Sequence, residues 1–420
     1  MTLENRLGLG LVRQPKTVLF GPGQRRQLPR VVGGLGRHAL VVTDARMATT
    51  PDFCALTEAL AAAGVRVTLF DRAEPDLPRA SVMAAAQAAG SGIDVVVGIG
   101  GGSCLDLAKA VSAVLTHGGD VRAFFGEFRV PGPVLPVVTV PTTGGTGAEV
   151  TSLAIVFDDE RQMKMAIADA HIEPHTAIID PELTLTCPPG LTAATAADAL
   201  SHLVEAFTAR PKNPTPEQLA TQIYVGKNRI TDLFCAEGLR LMNRSLGAVV
   251  RTPSDIAARS DVMFAAYCAG MAINTTGTAA AHAIQSPMAA IGHAPHGFGV
   301  GALLPYVMRF NLPYATAEFA EIGRILGVAG AGASIGEQAR AGILRIEELL
   351  AEAGTPPDLH ALGIGPEHFA QIAQASVQAT RLVLNNPAPM TVATVTQLLE
   401  RAHAADRRWW TPEEAPALTA

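Results

Sequence analysis

The chain has 420 residues, 48% of them hydrophobic and only 17% charged, with a mild net charge of −6. That length and apolar content predict more than one buried core, hence two globular domains, and exclude a disordered chain. The weak charge and the lack of a long Lys/Arg run argue against nucleic acid or an anionic membrane as the main partner, and for a small molecule.

In chain order, HALVVTD (38–44) reads as a strand, PDFCALTEALAAAG as a helix, VRVTLF (65–70) as a strand, RASVMAAAQAAG as a helix and DVVVGIG (94–100) as a strand. SCLDLAKAVSAVLTHG follows as a helix and LPVVTVP (135–141) as a buried strand. Parallel strands need such crossover helices, so the alternation predicts a doubly wound, Rossmann-like parallel sheet. Pro-Pro-Gly at 188–190 breaks the pattern, and beyond it the apolar spacing is helical at 191–207, 229–249, 254–275, 298–311, 335–353 and 391–404. We therefore expect an α/β domain over 1–188 and an all-α domain over 189–420. The Pro-rich tail RRWWTPEEAPALTA reads as mobile, with Trp409 and Trp410 as the residues able to pin it to the surface.

Five cysteines, Cys54, Cys104, Cys187, Cys235 and Cys268, are scattered without C-x-x-C spacing, and an odd count cannot pair fully within one chain. The opening MTLENRLGLGLVRQP lacks the basic cap and apolar run of a secretory signal. Both features lead us to expect a cytoplasmic protein.

Two glycine-rich loops follow predicted strands. Gly100-Gly101-Gly102-Ser103 lies between DVVVGIG and the next helix, where a doubly wound sheet binds phosphate on free N–H groups of a helix start. The strict G-x-G-x-x-G fingerprint is absent, and a tight turn capped by Ser103 is the alternative. After LPVVTVP comes Thr142-Thr143-Gly144-Gly145-Thr146-Gly147, whose hydroxyls and amides suit ribose, phosphate or a nicotinamide amide. Together the loops suggest a dinucleotide. Asp44, ending the first of the strands above, favours NAD over NADP by accepting from a ribose, and equally fits a plain turn residue.

Asp198 and His202 stand one helical turn apart in DALSHLVEAF, followed by His282 and His296. A carboxylate and three imidazoles suit iron(II) or zinc. Taken singly, an i, i+4 Asp/His pair is more often solvent-facing, and His282 also fits a core histidine bonded to a carbonyl.

GGGSCLDLAK, PTTGGTGAEVT, DALSHLVEAF and HAPHGFGVGALLPYVMRFN, in this order and across nearly the whole chain, resemble the iron-containing (group III) alcohol dehydrogenases. The resemblance implies a nucleotide-binding α/β domain followed by an all-helical domain. It implies metal ligands Asp198, His202, His282 and His296, and a pyrophosphate turn at Gly101, Gly102 and Ser103. It also implies nicotinamide-side hydroxyls Thr142 and Thr143, further cofactor contacts at Thr151 and Lys164, and Asp44 as the NAD-selecting acid. The expected enzyme transfers hydride between a small alcohol, or the aldehyde in reverse, and NAD, with Fe2+ or Zn2+ as Lewis acid. The apolar helical domain adds the expectation of a homodimer or larger homo-oligomer.

Two departures from the family stand beside the expected site. Many members carry a second His four residues after the ligand at 282, where this chain has Ser286. The connection 209–228 is longer than usual and resembles that of the hydroxyacid-oxoacid transhydrogenase branch, which makes hydride shuttling on bound NAD the nearest rival. A dehydroquinate-synthase-like lyase is a further alternative, set back by the lack of a Lys/Arg cluster near the metal helix. His293, three residues before His296, is a candidate proton relay or, equally in keeping, a surface or supporting residue.

Overall fold

The computed structural model describes residues 10–292, 295–411 and 414. By compactness, residues 13–187 and 215–223 form one unit, while 10–12, 188–214 and 224 onward form another.

The first unit holds nine strands: β1 Thr17–Phe20, β2 His38–Val42, β3 Arg66–Phe70, β4 Val95–Gly100, β5 Gly126–Glu127, β6 Val137–Pro141, β7 Leu153–Asp158, β8 Met163–Ala168 and β9 Thr176–Ile179. Six of them build one sheet in the order β1-β9-β6-β4-β2-β3, all neighbours parallel. Such a sheet must be covered on both faces. Along β2, Ala39 and Val41 join one core with Phe53, Leu56 and Leu60 of the helix Pro51–Ala62. Leu40 and Val42 face the opposite core, with Leu107, Ala108 and Val111 of helix α1, Gly102–His117. This is the doubly wound architecture expected from the alternating pattern.

A feature the pattern did not predict is the second sheet, β5-β8-β7, built on an antiparallel β7/β8 hairpin that pairs Leu153 with Ala168 through Asp158 with Met163. Only Ala154, Val156 and Asp158 of β7 are buried, alternating with half-buried neighbours. Strand β7 carries the apolar run LAIVF (153–157), which the sequence reading passed over.

Every regular element among the second unit's described residues is a helix. Its relevant members are α2 Pro189–Thr208, α3 Arg229–Arg251, α4 Ile256–Thr276, α5 Ala280–Gly292 and α6 His296–Asn311. Helix α2 starts with Pro189 in its first turn and is buried along nearly its whole length from Thr192 onward. α4 is long and apolar enough to span a membrane by composition, yet two-thirds of its apolar window is buried, packed on α2 and α3. The two tryptophans of the tail, read as mobile, are held in place: Trp409 stacks on Arg309 and Arg340, and Trp410 lies against Arg401 and Phe310.

Within the long 209–228 connection, Pro216–Thr221 is a short helix closed by a Thr215/Gln218 capping box. The Arg13 guanidinium donates to the carbonyls of Leu219 and Ile223, and the Ile223 amide donates to Glu127. These bonds hold residues 219–223 with the first unit.

Candidate metal centre and cofactor loops

Helix spacing puts Asp198, His202 and Glu205 on one face of α2. In the fold that face meets His282 of α5 and His296, the first residue of α6. Asp198 Oδ1 lies 3.7, 3.4 and 3.6 Å from the Nε2 atoms of His202, His282 and His296. Ligand atoms of Asp198, His282 and His296 all fall within 4.8 Å of one another. His202 joins them through Asp198 and stacks on His282, ring centroids 4.6 Å apart. The four residues singled out in the sequence are thus brought to one place.

Two buried atoms in this cluster, Asp198 Oδ1 and His282 Nε2, have no hydrogen-bond partner. Leaving such groups unpaired costs about 1–3 kcal/mol each, more when charged. A divalent cation between them satisfies both at once, so the donor set fits a metal. The electrostatics agree. Burial works against the Asp198 charge, yet His202, His296 and His282 hold its carboxyl well below the usual carboxylate range. Burial likewise opposes a charged His282 ring, but Glu205 and Asp198 raise it to about 9. The pocket demands positive charge, which either protons on imidazoles or a divalent cation can provide.

Around the cluster stand residues that the sequence reading missed. Glu205 accepts from His282 Nδ1 at 2.6 Å and from the backbone amides of Ala279 and Ala281, so it caps the start of α5 while turning His282 Nε2 toward Asp198. A signal for it was present: Glu205 is a third polar residue on the Asp198/His202 face of a helix otherwise rich in Ala, Leu and Val. Gln285 accepts from His296 Nδ1 at 2.7 Å. Gly297, next to His296, lets α6 press on α2: a Cβ there would lie 1.9 Å from the Ala194 carbonyl oxygen and 3.2 Å from Asp198 Cβ. His293 lies outside the described residues.

The cofactor loops meet within the first unit. Gly101 is the N-cap of α1 and no side chain caps that helix, so Ser103 does not close the turn; the Cys104 amide bonds the Gly101 carbonyl and leaves the amides of Gly102 and Ser103 for an anion. Gly100 has φ +152°, and a Cβ there would sit 2.5 Å from Cys104 Sγ. A Cβ on Gly102 would come within 2.8 Å of Thr146, and one on Gly101 within 3.6 Å of Thr143. The Thr142 amide donates to the Gly100 carbonyl, and Thr142 Oγ1 is buried without a partner. A Cβ-free cradle, an uncapped helix start and an unsatisfied hydroxyl fit a dinucleotide phosphate and amide.

Other expected cofactor contacts have definite protein partners. Asp44 Oδ1 caps the short helix Ala45–Ala48 by accepting from the Met47 amide, while Oδ2 faces Cys104 Sγ at 3.8 Å. Thr151 directs its carbonyl and hydroxyl to Lys109 Nζ, which also binds the carbonyls of Ala148 and Leu153 and pairs with Asp106. Fully buried, Lys109 braces the segment that follows the threonine loop. Lys164 on β8 pairs with Asp76 at 2.6 Å. Burial pushes the Cys104 thiol up to about 12, which leaves it a packing residue.

The chain is similar to known proteins over most of its length. Residues 15–181 match the family described as iron-containing alcohol dehydrogenase, and 223–403 match the C-terminal region of the Fe-containing alcohol dehydrogenase family. The NAD-dependent methanol dehydrogenase of Bacillus methanolicus is 33% identical over 390 residues, 92% of this chain and 98% of its own. The 1,3-propanediol dehydrogenase of Klebsiella pneumoniae is 32% identical, over 87% of this chain and 91% of its own. A crystal structure of a 1,3-propanediol oxidoreductase superposes with a TM-score of 0.88 at 29% identity, covering 94% of this chain and all of that one. With its parallel sheet, its helical unit and the Asp/His cluster on α2, α5 and α6, the chain belongs to the iron-containing alcohol dehydrogenase family and is an oxidoreductase.

Proposed function

We propose that this chain catalyses NAD-linked oxidation of short primary alcohols or diols and reduction of the matching aldehydes. Asp198, His202, His282 and His296 hold a divalent metal, Fe2+ by family and Zn2+ by donor chemistry. The observation that carries the reading is the buried, partnerless Asp198 Oδ1 facing three imidazole Nε2 atoms. The size of the alcohol follows the names of the relatives, methanol and 1,3-propanediol dehydrogenases.

When bound, the metal supplies Lewis acidity toward the alcohol oxygen and NAD supplies the hydride acceptor. The protein's own contribution is orientation and charge. Glu205 and Gln285 fix the ring directions of His282 and His296, and the buried Asp198 charge keeps the pocket selective for a cation. Gly101, Gly102, Ser103, Thr142 and Thr143 seat the dinucleotide, and Asp44 beside the turn disfavours a 2′-phosphate. Thr151 and Lys164 belong to the same proposal as further contacts. In this reading the enzyme works in the cytoplasm, in keeping with five cysteines scattered without C-x-x-C spacing, and as a homo-oligomer, which light scattering tests.

The test is steady-state NADH formation by metal-reconstituted protein with methanol through butanol and 1,3-propanediol, against NADP and against Asp198→Ala. NADH formation that Asp198→Ala abolishes supports the proposal. Full activity in Asp198→Ala overturns the metal assignment, and exchange between a hydroxyacid and an oxoacid without added NAD makes transhydrogenation the reaction.

A further inference from the structure

Among the four proposed ligands, His296 is the one that packing holds least. Its side chain is 39% exposed, against 4% for Asp198, 7% for His202 and 9% for His282. It stands at the first position of α6, after Pro295, and as the most exposed of the four its ring direction needs hydrogen-bonded support.

Gln285 meets that need. It lies one turn along α5 from His282, is fully buried, and its Oε1 sits 2.7 Å from His296 Nδ1. An amide oxygen only accepts, so Nδ1 carries the proton and Nε2 keeps its lone pair toward Asp198. The other end of the carboxamide, Nε2, is buried without any partner. An apolar side chain of equal size would carry no such unsatisfied donor. The seat for Gln285 comes from α6 itself: a Cβ on Gly299 would lie 2.9 Å from Gln285 Cγ and 3.1 Å from its Nε2. Two i, i+3 pairs therefore interlock, His282 with Gln285 on α5 and His296 with Gly299 on α6.

We propose that Gln285 is a positioning residue that fixes the tautomer and ring direction of His296, and that Gly299 is its built-in seat. The inference rests on the metal reading above. A buried amide with one end unpaired is retained for what its oxygen does, and the least-packed ligand is where orientation by hydrogen bond has most effect.

The test is titration of metal-free protein with Co2+, reading affinity by chelator competition and coordination by the visible d–d bands. Gln285→Met, nearly equal in volume but without the amide acceptor, is expected to weaken Co2+ binding about 10- to 100-fold and to alter the bands. Gln285→Glu, which keeps an acceptor, is expected to recover most of the affinity. Gly299→Ala should shift both readouts in the same direction as Gln285→Met, and the double variant should be no worse than Gln285→Met alone, since both act through one bond. Wild-type uptake of Co2+ with unchanged affinity and bands in Gln285→Met overturns this proposal and leaves the metal centre standing. Equal Co2+ binding by wild type and Asp198→Ala overturns the metal reading and this inference with it. Gly299→Ala provides a second route to the same readouts should Gln285→Met fail to fold.

Discussion

The two halves of the candidate active machinery are made of different material. The metal centre consists of side chains: one carboxylate and three imidazoles from α2, α5 and α6, over a span of 99 residues from 198 to 296, set by Glu205 and Gln285. The cofactor cradle consists largely of backbone: an uncapped helix start, glycines whose missing Cβ atoms leave room, and one buried hydroxyl. A side-chain site fails when a charge or a lone pair is removed. A backbone site fails when an atom is added.

The sharpest break in that comparison is Asp198→Ala. Removing the buried carboxylate that faces all three imidazoles should lower kcat/KM by about three orders of magnitude and strip the protein of metal, measured by turnover and elemental analysis. Retained metal at full stoichiometry would contradict it. Next comes Glu205→Ala, which leaves every ligand in place but frees the His282 ring and uncaps α5. A loss of metal affinity of about 10- to 100-fold by chelator competition is expected.

For the backbone site the corresponding change is an addition. Gly102→Ala places a Cβ within 2.8 Å of Thr146 and should raise the KM for NAD about tenfold while kcat stays close to wild type, a loss of about 1.4 kcal/mol in cofactor binding. Ser103→Ala removes a hydroxyl that makes no helix cap, so its effect on the same KM should be the smaller of the two. An inverted order would mean that hydroxyl contacts rather than glycine space govern the turn.

The smallest expected effect is on stability against pH and concerns Glu149, at the end of the threonine loop. Burial pushes its carboxyl up to about 7 from the ordinary 4.5, against the pull of Lys109. The folded state therefore favours the protonated form. Its stabilising contribution is complete below 4.5 and is lost as pH rises through about 7. Glu149→Gln should flatten the change in guanidinium midpoint between about pH 5 and about pH 8, and an unchanged slope would show that Glu149 is ionised in the native protein throughout.

Much of this was legible in the chain itself. Apolar periodicity gave β2, β3, β4 and β6 with the helices between them and the long helices beyond 188, because a parallel strand buried on both faces and a helix buried all round leave continuous signatures. The β7/β8 hairpin was passed over although LAIVF of β7 is a continuous apolar run, because its antiparallel pairing with β8 runs across the four residues 159–162 with no two-residue Asn-Gly or Asp-Gly turn to signal it. The ligands Asp198, His202, His282 and His296 were identifiable by residue type and by family motifs. Glu205 was readable from its place on the Asp198/His202 face and went unassigned, whereas Gln285 escaped because a lone Gln in a helix carries no chemistry until its partner is known.

What the sequence determined by itself is everything that depends on local chain: which segments are strands or helices, where glycine permits a tight turn, and that Asp198 and His202 share a helix face. What only the tertiary structure decided is convergence. Three Nε2 atoms meet one carboxylate oxygen because Gly297 lets α6 approach the Ala194 carbonyl and because Glu205 caps α5 at the right rotation. Those are contacts between residues about 75 to 105 positions apart. No periodicity within one element encodes them, since they arise from how whole helices pack.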